Sequence, residues 1–368
     1  MEVPYLMADK VKDKTTIDDY LNKKVKAIEV DASKTVSQLL SEMAETGFQG
    51  KSLARVVDVL EQMINDDDVT ILLGYAGSLS TTGQWKIINW LIENRYVDIL
   101  VPTGANISED IVDAMGFDYW QGSHTADNEV LFREGLNRYY DVYGKETDYL
   151  VMTELLAEFI MTLDESYNYS SRELLLECGK WLAQKNIPSI VAKAAEHGVP
   201  IFCPAIADSP YGDAALIAKS KGFSLTIDAI KDYVEFMTLG ETVKETAVIY
   251  IGGGVPKDFI QLFAVTGDLL YPDRHVPNRG DGLKRKGTGA SEAYYPHKYA
   301  IQITTDSPQW GGLSGCTFEE AVSWGKEDSE GSLVQCYCDA TIALPLVSHA
   351  LAERVGKKRK GKDFSGVL

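Results

Sequence analysis

The sequence predicts an α/β protein built on a doubly wound, mostly parallel sheet with helices on both faces. Three observations carry that expectation. Six short apolar, β-branched runs end abruptly in small or polar residues, and helical stretches separate them. The chain has 368 residues, the size of one large domain of this kind or two ordinary ones. Its composition, 45% hydrophobic and 24% charged, is that of a globular protein with ample core.

The runs are VTILLGYAGS (69–78), VDILVPTGAN (97–106), VPIFCPAIAD (199–208), TAVIYIGGGV (246–255), YAIQITTD (299–306) and SLVQCYCDAT (332–341). Continuous rather than alternating hydrophobicity suits strands buried on both faces, the parallel-sheet pattern. Between them, QWKIINWLIENR (84–95), YLVMTELLAEFIMTLDES (149–166) and LTIDAIKDYVEFMTLG (225–240) read as helices. Strand–helix alternation on this scale gives the doubly wound sheet. By fold analogy, ligands bind outside the carboxyl ends of such strands.

Around this domain, assigned to residues 46–355, lie three less regular pieces. Residues 1–45 are polar and read as a mostly helical extension. The stretch 271–298 is rich in Gly, Pro and charge and reads as a long surface loop. Residues 356–368 read as a basic, frayed tail.

A formal charge of −18 argues against nucleic acid as a partner, since phosphate binding wants a basic surface. It suits a cationic ligand, although many cytoplasmic proteins are simply acidic. No apolar run reaches the roughly 18 residues of a membrane span, and the first residues lack a signal-peptide core. The expectation is a soluble, cytoplasmic protein. Five cysteines in a long chain do not suggest a disulfide framework, and no histidine spacing suggests a metal site.

Four stretches could carry chemistry. In VIYIGGGVPKDF, the turn at Gly252, Gly253 and Gly254 could let a cofactor approach the backbone, or be a plain strand-to-helix turn. In CPAIADSPYGD, Asp208 and Asp213 could bind hydroxyl or ammonium groups, or cap the next helix. Asp339 in YCDAT carries the same ambiguity. In TFEEAVSWGKE, Thr317 and Glu320 have capping-box spacing, Trp324 could pack on the core, and Lys326 could sit at a helix end where the dipole favours a cation. The other reading is a Schiff-base lysine, which must be deprotonated to attack and is helped by burial beside an aromatic.

These stretches carry a resemblance. SGCTFEEAVSWGK is similar to the lysine motif of deoxyhypusine synthases, and LGYAGSLSTTG, VDILVPTGAN, CPAIADSPYGD, YIGGGVPK and DATIALPL follow that family's pattern in order over most of the chain after residue 50. The resemblance implies a Rossmann-like fold, NAD as cofactor, and a homotetramer with active sites between paired subunits. It also implies the chemistry. A hydride passes from the aminobutyl carbon of spermidine to NAD, the motif lysine captures the four-carbon group as an imine, and an acceptor amine receives it as the hydride returns. In deoxyhypusine synthase proper the acceptor is a lysine of translation initiation factor 5A.

Carried over by motif, Lys326 is the nucleophile. Trp324 lines the donor chain, Glu320 and Asp213 hold donor ammonium groups, and Gly311 and Ser314 belong to the donor loop. The NAD contacts fall on Gly77, Ser78, Thr81, Thr103, Gly104, Ala105, Glu109, Asp208, Gly253, Thr305, Asp306, Asp339 and Ala340.

The chain also departs from the family pattern. Asp258 stands where the eukaryotic synthases have histidine, Leu313 replaces a donor-binding aspartate, Leu262 lies near a family asparagine, and Ser108 replaces an acid. One acid gained and two lost suggest a changed substrate. A guanidinium, as in agmatine, could pair bidentately with Asp258; spermidine or putrescine is equally compatible. The reading that results is a transferase moving a 4-aminobutyl or 4-guanidinobutyl group from a polyamine or agmatine to an amine, with a small-amine acceptor preferred. A true deoxyhypusine synthase acting on initiation factor 5A is the alternative, and a non-catalytic NAD-binding scaffold is the second. No metal, nucleic acid or membrane partner is expected.

Overall fold

The structure, a computed structural model, describes residues 17–270, 282–283 and 293–368. Its strands are β1 (Val69–Tyr75), β2 (Ile99–Pro102), β3 (Trp120–Gln121), β4 (Leu136–Tyr139), β5 (Val142–Lys145), β6 (Asn168–Tyr169), β7 (Thr226–Ile227), β8 (Glu245–Ile251), β9 (His297–Thr304) and β10 (Glu327–Tyr337). Five of them form a parallel sheet in the order β10-β9-β8-β1-β2. The run VPIFCPAIAD, expected as a sixth strand, is reduced to one parallel bridge from Ile201 to Leu100. Leu100 donates to Pro200 O at 3.0 Å and accepts from Phe202 N at 2.9 Å. Pro200 and Pro204 remove donors at both ends of the run, so the ladder cannot extend.

With this segment counted third along the chain, the spatial order is 3-2-1-4-5-6. The order reverses between β1 and β8, and a crevice for ligands opens there at the strands' carboxyl ends. Side chains leave successive residues of a strand on opposite faces. Ile71, Leu73, Ala247 and Ile249 therefore join one core, shared with helices Phe48–Asn65, Trp85–Glu93, Ile190–His197 and Ala340–Val355. Leu72, Val248 and Tyr250 join the other, with helices Ala229–Thr238 and Gly254–Val265. Phe202, Phe236 and Phe259 pack together in that second layer. Burial on both faces is what the continuous apolar runs encode.

Element ends differ from expectation in physically simple ways. The stretch 225–240 begins as β7, and Asp228 then caps helix Ala229–Thr238 by accepting from Ile230 N and Lys231 N. The described part of the N-terminal extension is helical at Ile17–Tyr20 and Val36–Met43 and non-helical between them. Thr35 and Gln38 close the second helix with a full capping box. The loop expected at 271–298 lies mostly outside the described residues; Leu283 and Tyr294 pair across it, and β9 already begins at His297. A small antiparallel sheet, β3-β5-β4, stands apart from the main sheet.

The basic tail is not frayed. Arg359 is buried and donates to Asp98 Oδ2 at 2.7 Å and to Val69 O, while Asp98 Oδ1 accepts from Lys362 N at 2.9 Å. Arg95 Nη2 donates to Lys362 O at 2.7 Å, and Phe364 is buried against the second core. Asp98, wholly buried before β2, requires a cation and donors, and the tail supplies both. Arg359→Ala leaves that carboxylate unpaired, so unfolding in urea should show a loss of about 3–5 kcal/mol. A loss under about 1 kcal/mol would contradict the clamp, and Asp98→Leu combined with Arg359→Met should recover most of the stability.

Candidate active site

The WGK stretch is built by a helix end. Helix Phe318–Ser323 starts at Thr317, whose hydroxyl accepts from Glu320 N at 3.1 Å. Only this half of the expected capping box forms. At the other end Gly325 N donates to Val322 O and Lys326 N to Ala321 O. This is the Schellman pattern, and it needs a left-handed residue, which Gly325 supplies at φ +79°. A Cβ there would also meet the Tyr294 ring at 2.8 Å. Lys326 thus lies past the helix, at the first step into β10, and not in the last turn where the dipole reading had put it. Trp324 is 56% exposed, so it does not pack on the core.

The Lys326 side chain is only 13% exposed. Its Nζ lies 3.1 Å from Asp258 Oδ1, 3.3 Å from Gln261 Oε1 and 5.6 Å from the centre of the Trp324 ring. Asp258 and Gln261 stand one turn apart on helix Gly254–Val265, which the Gly252–Gly254 turn launches from β8. Gly253 is required for close approach, because a Cβ there would lie 2.3 Å from Ser314 Cα. The 312–316 loop thus seats on the glycine turn.

Beneath Lys326 lies a buried polar network. Lys257 is wholly buried and donates to Gln302 Oε1 at 3.1 Å and Cys316 O at 2.8 Å; burial holds its pKa below the usual lysine value. Gln302 Nε2 donates to Gly252 O at 2.7 Å and Ser314 O at 2.9 Å, and Gln335 Nε2 donates to Gln302 Oε1 at 2.7 Å. Glu327, 1% exposed, accepts from Gln261 Nε2 at 3.0 Å, and burial pushes its carboxyl up to about 7.

A second feature lies at the switch point. A cavity of about 1240 Å³ opens over the carboxyl ends of β1, β8 and β9 and the turn after β10. Of the expected NAD contacts, Gly77, Ser78, Thr81, Thr305, Asp339 and Ala340 line it. The small sheet supplies the opposite wall through Trp120, Tyr139 and Tyr140, which the sequence did not suggest. Asn106, buried, anchors the rim by donating to Gly77 O and to Thr103 Oγ1 and accepting from Leu79 N at 3.1 Å. Asp339 caps helix Ala340–Val355 through Thr341 N at 2.7 Å and also lines the cavity, so capping leaves it at the cavity wall.

The other expected contacts are placed differently. Thr103, Gly104, Ala105 and Glu109 follow β2. Gly104 faces Ser209, whose hydroxyl a Cβ would meet at 2.4 Å. Glu109 is 5% exposed with one carboxyl oxygen unpartnered, and burial with Asp110 beside it pushes its pKa up to about 7. Asp208 is exposed; Ser209, not either aspartate, caps helix Pro210–Ser220. Asp213, in the first turn of that helix, is exposed and acts on Tyr149 electrostatically. Asp306 accepts from the Ser314 hydroxyl, which holds its carboxyl below the usual range. Gly311 and Glu320 are exposed. Lys326, Trp324, Glu320 and Asp213 do not line the cavity.

A dinucleotide fits this arrangement. The cavity sits where the strand order reverses and its rim carries glycines and hydroxyls, while Glu109, with one buried carboxyl oxygen unpartnered, lies outside its lining. Among the described residues no helix is long and apolar enough to cross a membrane, and no group of His, Cys, Asp or Glu could hold a metal.

Comparison with known proteins joins these features to a family. Residues 38–351 match the family model described as deoxyhypusine synthase. A protein of Archaeoglobus fulgidus named "Probable deoxyhypusine synthase 2" is 46% identical over 326 residues, covering 88% of this chain and all of that one. A Methanosarcina mazei protein of the same name is 43% identical over 335 residues, covering 90% of this chain and 91% of that one. A solved structure from Entamoeba histolytica, described as that of "a putative deoxyhypusine synthase", superimposes with a TM-score of 0.60 at 19% identity, over 92% of this chain and all of that one. That last likeness concerns the fold alone, and it agrees with the doubly wound sheet. The similarity in sequence runs through both the cavity rim and the Lys326 turn, and the chain belongs to the deoxyhypusine synthase family.

Proposed function

We propose that this protein is an NAD-dependent transferase that moves a 4-aminobutyl or 4-guanidinobutyl group from a polyamine or agmatine, through an imine on Lys326, to a small amine acceptor. The observation that carries the reading is the setting of Lys326: largely buried, held by Asp258 and Gln261, and flanked by an exposed indole. When bound, NAD supplies a place to store a hydride and give it back.

The chain's own residues do the rest. The Asp258 carboxylate is 44% exposed, so a cationic donor head can reach it. A guanidinium arriving there competes with Lys326 for the carboxylate and displaces the amine from the ion pair. The freed amine then attacks the donor's imine carbon. Trp324 offers an apolar face along which methylenes can lie. Leu313 stands on the 312–316 loop where an acid would have bound a second cation, which supports a donor with one charged head less than spermidine.

The cavity and the Lys326 cluster are lined by separate residues, which supports a site completed by a second subunit within a homotetramer. The acidic surface and the absence of a spanning helix among the described residues fit work on small cations in the cytoplasm. True deoxyhypusine synthase activity remains the second reading, supported by the names of the relatives.

Labelled spermidine and labelled agmatine, each with NAD, small amines and initiation factor 5A, separate the readings. Label is expected on a small amine and not on the factor; label on the factor would overturn the preferred acceptor. Lys326→Ala should reduce transfer roughly a thousandfold or more. Normal transfer by that variant would end the imine mechanism, and failure of the wild type to trap any donor with borohydride would favour a non-catalytic scaffold. Asp258→Asn should raise the agmatine KM about tenfold or more, with a smaller effect on kcat.

A further inference from the structure

Glu327 is the residue next to Lys326, yet it points into the protein, 1% exposed, at the start of β10. Its carboxyl touches one polar group, Gln261 Nε2 at 3.0 Å; the other oxygen has no hydrogen-bond partner among the described residues. Gln261 is itself wholly buried, and its Oε1 faces Lys326 Nζ at 3.3 Å. A buried acid with half its bonding capacity unused costs stability, so packing alone does not account for it.

We infer that Glu327 is a positioning residue: acting through the Gln261 amide, it sets the direction from which Lys326 can attack. An ionised carboxyl only accepts, so it draws the Gln261 NH2 towards itself and turns Oε1 to Lys326. Oε1 then takes an N–H from Nζ and leaves the nitrogen lone pair free. A protonated Glu327 can donate instead, which lets the amide reverse and offer NH2 to Nζ, tying up that lone pair. Burial, which places the Glu327 carboxyl near 7, lets the two arrangements exchange around neutral pH.

Other charged and titratable groups face this acid: Lys257 from helix Gly254–Val265, Lys326 beside it, Tyr250 from β8, and His297 opposite it in the β9 register. Asp258 faces Lys326 from the other side. The step served is the one proposed above. Starting from the protonated imine of the donor, the Nζ–carbon bond forms, one proton passes from Nζ to the departing amine as its bond to carbon breaks, and the imine left on Lys326 keeps the other proton and the positive charge.

The inference rests on that reading for its purpose, but its test does not need a donor. Full-length protein is treated with butyraldehyde and cyanoborohydride from pH 6 to 9, and reductive labelling at Lys326 is followed by mass spectrometry against exposed Lys358. In the wild type, labelling of Lys326 should rise through an inflection near pH 7. Glu327→Gln, which removes a buried charge without changing shape, should keep its melting temperature, lose that inflection and label about tenfold more slowly at pH 8. Gln261→Met should lose the inflection and slow labelling likewise, at a lower melting temperature because it leaves the Glu327 carboxyl without its donor, and the double variant should label no more slowly than either single one. An unchanged pH profile in Glu327→Gln, additive losses, or no wild-type labelling at Lys326 would overturn the inference. If the profile behaves as expected but no amine donor is trapped, the positioning stands and the transferase reading fails.

Discussion

One side-chain amide holds the site together. Gln302 lies wholly buried in β9, and its two ends reach Gly252 on the turn after β8, Ser314 on the 312–316 loop, Lys257 on helix Gly254–Val265 and Gln335 on β10. Those groups belong to two separate connections at the carboxyl edge of the sheet and to the neighbouring strand β10. An amide is the group for this task, because it offers donors and acceptors at once without bringing a charge. Without it, Lys257 would face a buried carbonyl and little else, and the 312–316 loop would lose its anchor on the glycine turn. The helix carrying Asp258 and Gln261 is aligned to Lys326 by the same arrangement.

The second theme is economy of charge beneath the surface. The chain is strongly acidic, yet the region under Lys326 holds one lysine, Lys257, whose pKa burial lowers, and one carboxyl, Glu327, which burial pushes up to about 7. Glutamines fill the space between them. Their dipoles transmit orientation from one ionisable group to another while leaving few formal charges out of water. At the opposite side of the molecule the same problem has a different solution, where Asp98 is matched by a guanidinium delivered from the chain's last turn of sequence.

Much of this was legible in the sequence. Apolar runs and helical stretches located five of the sheet strands, and the family resemblance named six residues that line the cavity, Gly77, Ser78, Thr81, Thr305, Asp339 and Ala340, whereas the strand-end acids Asp208 and Asp213 lie outside it. The illegible parts share a cause. Whether Arg359 is solvated or clamped depends on Asp98, some 260 positions away in sequence. Lys257 and Glu327 were passed over because a lone lysine or glutamate in an amphipathic stretch is ordinarily solvated, and only the folded layers reveal that these two are not. Of the two readings left open for Trp324, packing on the core fails because the indole is exposed, although an indole in a short helix usually packs inward. Tyr139 and Tyr140 reach the cavity through a small sheet that local patterning does not place.

The Schellman turn at Gly325 separates two duties that are adjacent in sequence. The backbone N–H of Lys326 closes the helix, whatever side chain that residue carries, and Gly325 sets the turn. Scaffold and reactivity are thus assigned to different atoms of neighbouring residues. A descendant could exchange the lysine for another residue and keep the whole architecture, whereas loss of the glycine would disturb the path into β10. Within such a lineage the glycine would report ancestry, and the amine beside it would report whether the chemistry is still practised.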